Sequence, residues 1–285
     1  MTGVLARLWW RMRVWALRIR AWTLRRDEGQ PILHLAFEAA RRNDFVGFFR
    51  AVDLAGGLSR WGAETVAWAA LTYYDAGRTL EAAGLLAVAL EKEPENALVL
   101  GCYGDYLQKE GEYQQSAEYL EKAHAARPDD PWTLSRLGDA YRCLGEWKRA
   151  RQRYLEALSQ KPPQTDTGLV YSGLAHVAAK QGDWSEAARC WQEAASRLPM
   201  DEEIWYNLGD ALLQAGHYRE ATEALRKSLR LGSKLPAWTF YDLASSYHQL
   251  GDVSRARRYC EQALKYAPDD QDAQELMKEL EASKV

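Results

Sequence analysis

A fixed-period repeat constrains this chain more than any other feature of its sequence. Six segments read GRTLEA, GEYQQS, GEWKRA, GDWSEA, GHYREA and GDVSRA. Each holds a glycine, usually an aromatic residue two places later, and a small residue three further on. The glycines are Gly77, Gly111, Gly145, Gly182, Gly216 and Gly251, spaced by 34, 34, 37, 34 and 35 residues. Seven residues before them stand Ala70, Gly104, Gly138, Ala175, Gly209 and Ala244. Seventeen residues after most of them stands a proline: Pro94, Pro128, Pro162, Pro199 and Pro268, with Ser233 in that place after Gly216. Self-similarity at such a period is the mark of a stacked-repeat architecture.

The pattern predicts a helix, a tight turn and a second helix in each unit. A glycine closes the first helix where a positive φ is needed. The small residues mark close helix crossings, and Leu137, Tyr141, Ala150, Tyr154 and Ala157 fall at helical spacing around one of them. The proline stops the second helix. Residues 163–167, PQTDT, are the longest interruption and are expected to be a loop or a local kink.

The segment WTLSRLGDAYRCLGEWKRARQRYLEALSQKP resembles the tetratricopeptide repeat family, and the likeness extends over residues 63–268. A degenerate copy is expected over residues 29–62. There Ala36 holds the small position, Asn43 replaces the glycine, Phe45 replaces the turn aromatic, and bulky Phe48 stands where a small residue is expected. Residues 269–285 read as a capping helix with Ala273, Leu276, Met277 and Leu280 inward, a device that open solenoid ends need. The resemblance implies an all-α, right-handed solenoid, and residues 29–283 are expected to form one continuous superhelix of about seven helix pairs.

The resemblance also implies a concave groove lined by the first helix of each pair, and a non-catalytic role in which a partner's peptide or helix lies in that groove. Candidate groove residues are Asp105, Trp132, Arg136, Asp139, Arg142, Tyr206, Asn207, Asp210, Trp238 and Tyr241. Some family members hold a partner's terminal carboxylate with paired lysines and asparagines. Aspartates stand at those places here, so such a clamp is not expected. A partner segment with basic and apolar residues suits an acidic, aromatic wall. The competing reading is local: the aspartates cap helices or pair with Arg136 and Arg142.

Charge and chemistry narrow the function further. The formal charge is -3, but the segment up to Arg26 carries seven arginines and no acid, which leaves -10 on the remainder. An acidic body argues against nucleic-acid binding, which needs a basic face to displace counterions. Cys102, Cys143, Cys190 and Cys260 are far apart, with no C-x-x-C, and are expected to be reduced, buried or half-buried thiols of a cytoplasmic protein rather than disulfides or zinc ligands. The five histidines are dispersed and no hydrolase, metalloprotease or phosphate-loop motif occurs, so neither an enzyme, a metal nor a cofactor is expected.

The first 28 residues differ from the rest. On a helix, Leu5, Leu8, Trp9, Met12, Trp15, Ala16, Ile19 and Trp22 share one face, with Arg7, Arg11, Arg18 and Arg25 along one flank and Arg13 and Arg20 along another. The arginines interrupt every apolar run, which excludes a spanning helix or a secretory signal. Three readings stand. The helix lies on an anionic membrane surface; it packs on protein, whether its own solenoid, a partner or a second copy; or it is an organelle presequence. Trp9, Arg11, Trp15, Arg18, Trp22 and Arg25 are the expected contacts.

Overall fold

The computed structural model describes residues 61–282, together with Ala39, Asp44 and residues 46–49. The amphipathic N-terminal segment, with Trp9, Arg11, Trp15, Arg18, Trp22 and Arg25, lies outside the described residues, as do Ala36, Asn43 and Phe45. Thirteen helices and no strand occur between residues 63 and 282. They pair as α1 (Ala63–Asp75) with α2 (Thr79–Lys92), α3 (Ala97–Lys109) with α4 (Tyr113–Ala126), and α5 (Pro131–Cys143) with α6 (Trp147–Ser159). Then follow α7 (Gln164–Lys180) with α8 (Trp184–Arg197), α9 (Glu202–Gln214) with α10 (Tyr218–Leu231), and α11 (Pro236–Gln249) with α12 (Val253–Tyr266). A single helix, α13 (Gln271–Ala282), closes the series.

The turn chemistry explains these boundaries. All six repeat glycines have positive φ, between 76° and 87°. At Gly145 the geometry is a Schellman turn. Its N–H donates to the Arg142 carbonyl at 3.1 Å, and the Glu146 N–H reaches back to the Tyr141 carbonyl at 2.8 Å, which satisfies carbonyls that the helix end would orphan. The next helix pair starts two residues after the proline. Asn96, Asp130, Asp201 and Asp270 each stand there and accept a backbone N–H from the first turn of α3, α5, α9 and α13.

After Pro162 no such cap exists, and the expected loop at residues 163–167 is instead helix from Gln164 onward. The three extra residues of this repeat lengthen α7 to 17 residues. The Thr167 hydroxyl donates to the carbonyls of Pro162 and Pro163 at 3.0 and 2.9 Å, and Lys161 takes up the reversal with φ 53°. An insertion of about one turn is absorbed by extending a helix end, where the backbone hydrogen bonds continue instead of being broken.

The chain divides into two compact units, one of residues 1–112 with 121–126 and the other of residues 113–120 with 127–285. The division falls within α4, which contributes residues to both units. In the first unit, Phe48 is fully buried and sits edge-on to Phe49 and Tyr73, so the bulk at that degenerate crossing is taken up by an aromatic cluster. In the second, α13 buries Ala273, Leu276 and Leu280, with Met277 packed beside them.

The crossings are as close as small residues allow. A Cβ on Gly138 of α5 would lie 2.6 Å from the ring of Tyr154 on α6, and one on Gly173 of α7 would also meet that ring. Tyr154 is fully buried between the two. Gly209 of α9 meets Leu225 of α10 in the same way, at 2.5 Å. The cysteines depart in part from expectation. Cys102, Cys190 and Cys260 are buried and outside any disulfide, but Cys143, in the last turn of α5, is exposed. It falls on the far side of α5 from the apolar stripe, which runs through Leu137, Ala140 and Tyr141.

Gly138→Leu tests the crossing. Tyr154 cannot leave without opening a cavity, so the added side chain overpacks the site and costs about 1–3 kcal/mol. A thermal midpoint lower by several degrees is the expected result; an unchanged midpoint would place the crossing elsewhere.

Candidate functional site

The groove residues expected from the sequence fall into separate environments, because the first helices of successive pairs carry different polar side chains at the same register. Asp105 belongs to the first unit. It is buried on α3, 3.7 Å from Lys109, which also reaches Asp75 at 2.7 Å. The other nine candidates belong to the second unit.

There, α5, α6 and α7 build a polar cluster of mixed charge. Tyr154 spans the core and its hydroxyl donates to Asp139 Oδ1 at 2.7 Å. Arg136 and Arg142 flank the same carboxylate at 3.5 and 3.7 Å. Asp139 is therefore held by its own repeat, as the local reading of the sequence anticipated. His176 of α7 lies edge-on to Trp191 of α8, at 4.8 Å between ring centres. Burial, reinforced by the Arg142 charge, holds its pKa down at about 4, so it is neutral near pH 7. Burial likewise pushes the Tyr154 phenol well above its ordinary value.

A second cluster, on α9, α11 and the start of α13, is acidic. Asp210 of α9 accepts a hydrogen bond from Gln214 at 3.3 Å, and burial raises its pKa. Tyr206 stands one turn before it. Asp242 of α11, which the sequence also offers as a groove-facing residue, faces both. Its repeat carries Ser245 where Asp105, Asp139 and Asp210 stand in theirs, and the acid sits three residues earlier. Asp242 is buried, and burial with the nearby Asp210 charge pushes its pKa up to about 7, a rise that the Tyr206 hydroxyl opposes. Tyr241 is raised by burial and by the carboxylates of Asp272, Asp242 and Asp270.

Aromatic side chains border both clusters. Trp132 is half-buried one turn before Arg136, and Trp238 is 56% exposed one turn before Asp242, so each shares a helix face with a charged residue. Asn207 is half-buried beside Tyr206. The chemistry available is recognition. Among the described residues no group of three His, Cys, Asp or Glu could hold a metal ion, and burial pushes the Cys190 and Cys260 thiols up to about 11. No described helix is long and apolar enough to cross a membrane.

Comparison with known proteins agrees with this architecture. Family models described as tetratricopeptide repeat match residues 95–162, 172–236 and 237–270. The unmatched stretch after residue 162 contains the extra turn of α7. The chain is 28% identical over 142 residues to cellulose synthase operon protein C of Pseudomonas fluorescens (strain SBW25), which is 50% of this chain but 11% of that protein. It is 27% identical over 151 residues to photosystem I assembly protein Ycf3 of Prochlorococcus marinus (strain NATL1A), which is 47% of this chain and 87% of that one. It thus spans only a small part of the first and most of the second. Among solved structures, that of Pseudomonas aeruginosa pilF superposes with a TM-score of 0.68 at 20% identity, over 76% of this chain and 97% of the other, a likeness of fold.

Asp242 yields a pH test with a definite sign. Its pKa is higher in the folded chain than the ordinary 3.8, so folding costs free energy once the group must ionise. That cost is absent below about pH 4, grows as pH rises, and is full above the folded value near 7. Asp242→Asn removes the charge and keeps the shape. At pH 8 the variant is expected to be more stable by about 2–4 kcal/mol, with the difference closing toward pH 4. Paired thermal melts at the two pH values measure it; equal midpoints at pH 8 would show that the carboxylate is not desolvated. In its repeat register, its helix pairing and its turn geometry, this chain belongs to the tetratricopeptide repeat family.

Proposed function

We propose that this protein is a non-catalytic scaffold that binds an extended or helical segment of a partner protein along the face made by the first helices of its repeats. Proteins of this family generally mediate protein–protein interaction and assembly. The observation that carries the reading is the placement of partly open aromatic rings one turn before charged side chains at matching register: Trp132 before Arg136 on α5, and Trp238 before the buried Asp242 on α11. Large apolar rings beside charges are what a segment of mixed apolar and charged composition needs for anchoring and orientation. Asp105, Asp139, Arg142, Tyr206, Asn207, Asp210 and Tyr241 complete the proposed contact set. The name of Ycf3, an assembly protein, supports a role in assembling other proteins. We place the scaffold in the cytoplasm, in keeping with four cysteines that form no disulfide.

Selection of random peptides on the full-length chain tests the proposal. Trp238→Ala with Tyr206→Ala is expected to weaken the selected peptides at least tenfold, while Leu155→Ala, at an exposed site on second helix α6, leaves them unchanged. The reverse pattern, or the selection of no peptide, would overturn the reading.

A second reading concerns the N-terminal segment. Its seven arginines and interleaved tryptophans favour peripheral attachment to an anionic membrane surface, with each basic residue worth ~1 kcal/mol near such a surface. Full-length protein is expected to sediment with vesicles rich in anionic lipid and not with zwitterionic ones, and added salt should release it. Binding that ignores both charge and salt would contradict this reading. If instead the segment is covered by protein, including a second copy, no vesicle binding is expected.

A further inference from the structure

The acidic end of the first-helix face contains a carboxylate that meets a tyrosine hydroxyl and another acid rather than a counter-charge. Asp242 is only 8% exposed and its Oδ2 has no hydrogen-bond partner. Its charged neighbour is another acid, Asp210 of α9, and the next carboxylates, Asp270 and Asp272 at the start of α13, act with Asp242 on Tyr241. Asp210 itself is met by the neutral amide of Gln214. Asp139 forms the contrast. In the same unit it holds a tyrosine hydroxyl and two arginines. A buried carboxylate left without a counter-charge is costly, and the cost is relieved when a cation enters.

The chemistry of the surroundings selects the cation. No group of three metal-binding side chains occurs among the described residues, which disfavours a metal ion. Tyr206 borders the two carboxylates, and Trp238 lies one turn before Asp242 on the same helix face with its ring 56% exposed. Two acids beside aromatic faces fit a guanidinium, which is planar, weakly hydrated, donates in several directions and stacks on rings.

We infer that Asp242, Asp210 and Tyr206 form a receptor for a single arginine side chain of a partner segment, with Trp238 packed along that side chain. The inference rests on the reading of this face as a segment-binding surface and assigns its anchor.

The experiment uses peptides selected on the full-length chain, each resynthesised with citrulline, the neutral isostere, in place of each arginine in turn. One arginine is expected to stand out, its replacement weakening binding at least tenfold. Asp242→Asn and Asp210→Asn should weaken the arginine peptide by a similar factor and leave the citrulline peptide unchanged. Asp129→Asn, on an exposed loop, serves as the charge control and should change neither. Melting curves of each variant separate lost binding from lost folding. Peptides that bind equally with arginine or citrulline, or that ignore both aspartate variants, would overturn the receptor while the segment-binding reading stood. Selection of no peptide would overturn both. A peptide of residues 4–26 belongs in the series. If it binds with the same dependence on Asp242, the receptor is supported and one source of its arginine is this chain itself.

Discussion

The contact on which the second unit most depends is the close approach of α5, α6 and α7 around Tyr154. Two glycines, Gly138 and Gly173, bring their backbones against the two sides of one buried ring. A helix pair cannot cover its own apolar stripe, and stability comes from stacking the next pair on it. Tyr154 is where that stacking is tightest here. Its ring fills the space that two missing side chains leave. Its hydroxyl then emerges from the core and is met by Asp139, with Arg136 and Arg142 to either side. The same residue thus closes the core and fixes the polar surface above it.

That arrangement makes the two ends of the first-helix face chemically unlike. The Asp139 carboxylate is answered by the Tyr154 hydroxyl and by two arginines, and His176 beside it is kept neutral by burial and by the Arg142 charge. Around Asp242 the charges are all of one sign, and the carboxylate is held partly protonated near neutral pH by burial and by Asp210. Internally satisfied groups rigidify a surface, whereas an unanswered one stores an interaction for a ligand. A segment lying along such a face would be oriented by this asymmetry as well as held by Trp132 and Trp238.

The charge pattern of the whole chain points the same way. The seven arginines before Asp27 and the acidic balance of the remainder are opposite in sign.

The helix pairs and their turns were legible in the sequence because they depend on local chemistry: glycine at positive φ and proline ending a helix. The Asx side chain that closes the next helix start, two residues after the proline, came from the structure. The sequence also marked the crossings, because a glycine seven residues before a turn has few other uses. Only tertiary structure decided the rest. The insertion at PQTDT lengthened α7 rather than forming a loop, because a helix end can be extended without breaking backbone hydrogen bonds. Asp139 and Asp210 look equivalent in the repeat register, yet one meets a tyrosine hydroxyl and two arginines and the other the neutral amide of Gln214, since the difference lies in the helix opposite: Tyr154 reaches Asp139 from α6, and the corresponding place in α10 holds Leu225, which has no hydroxyl to offer. The unusual state of Asp242, which sits off that register, arises from burial and from a neighbouring acid 32 residues away in the chain, neither of which a one-dimensional pattern records.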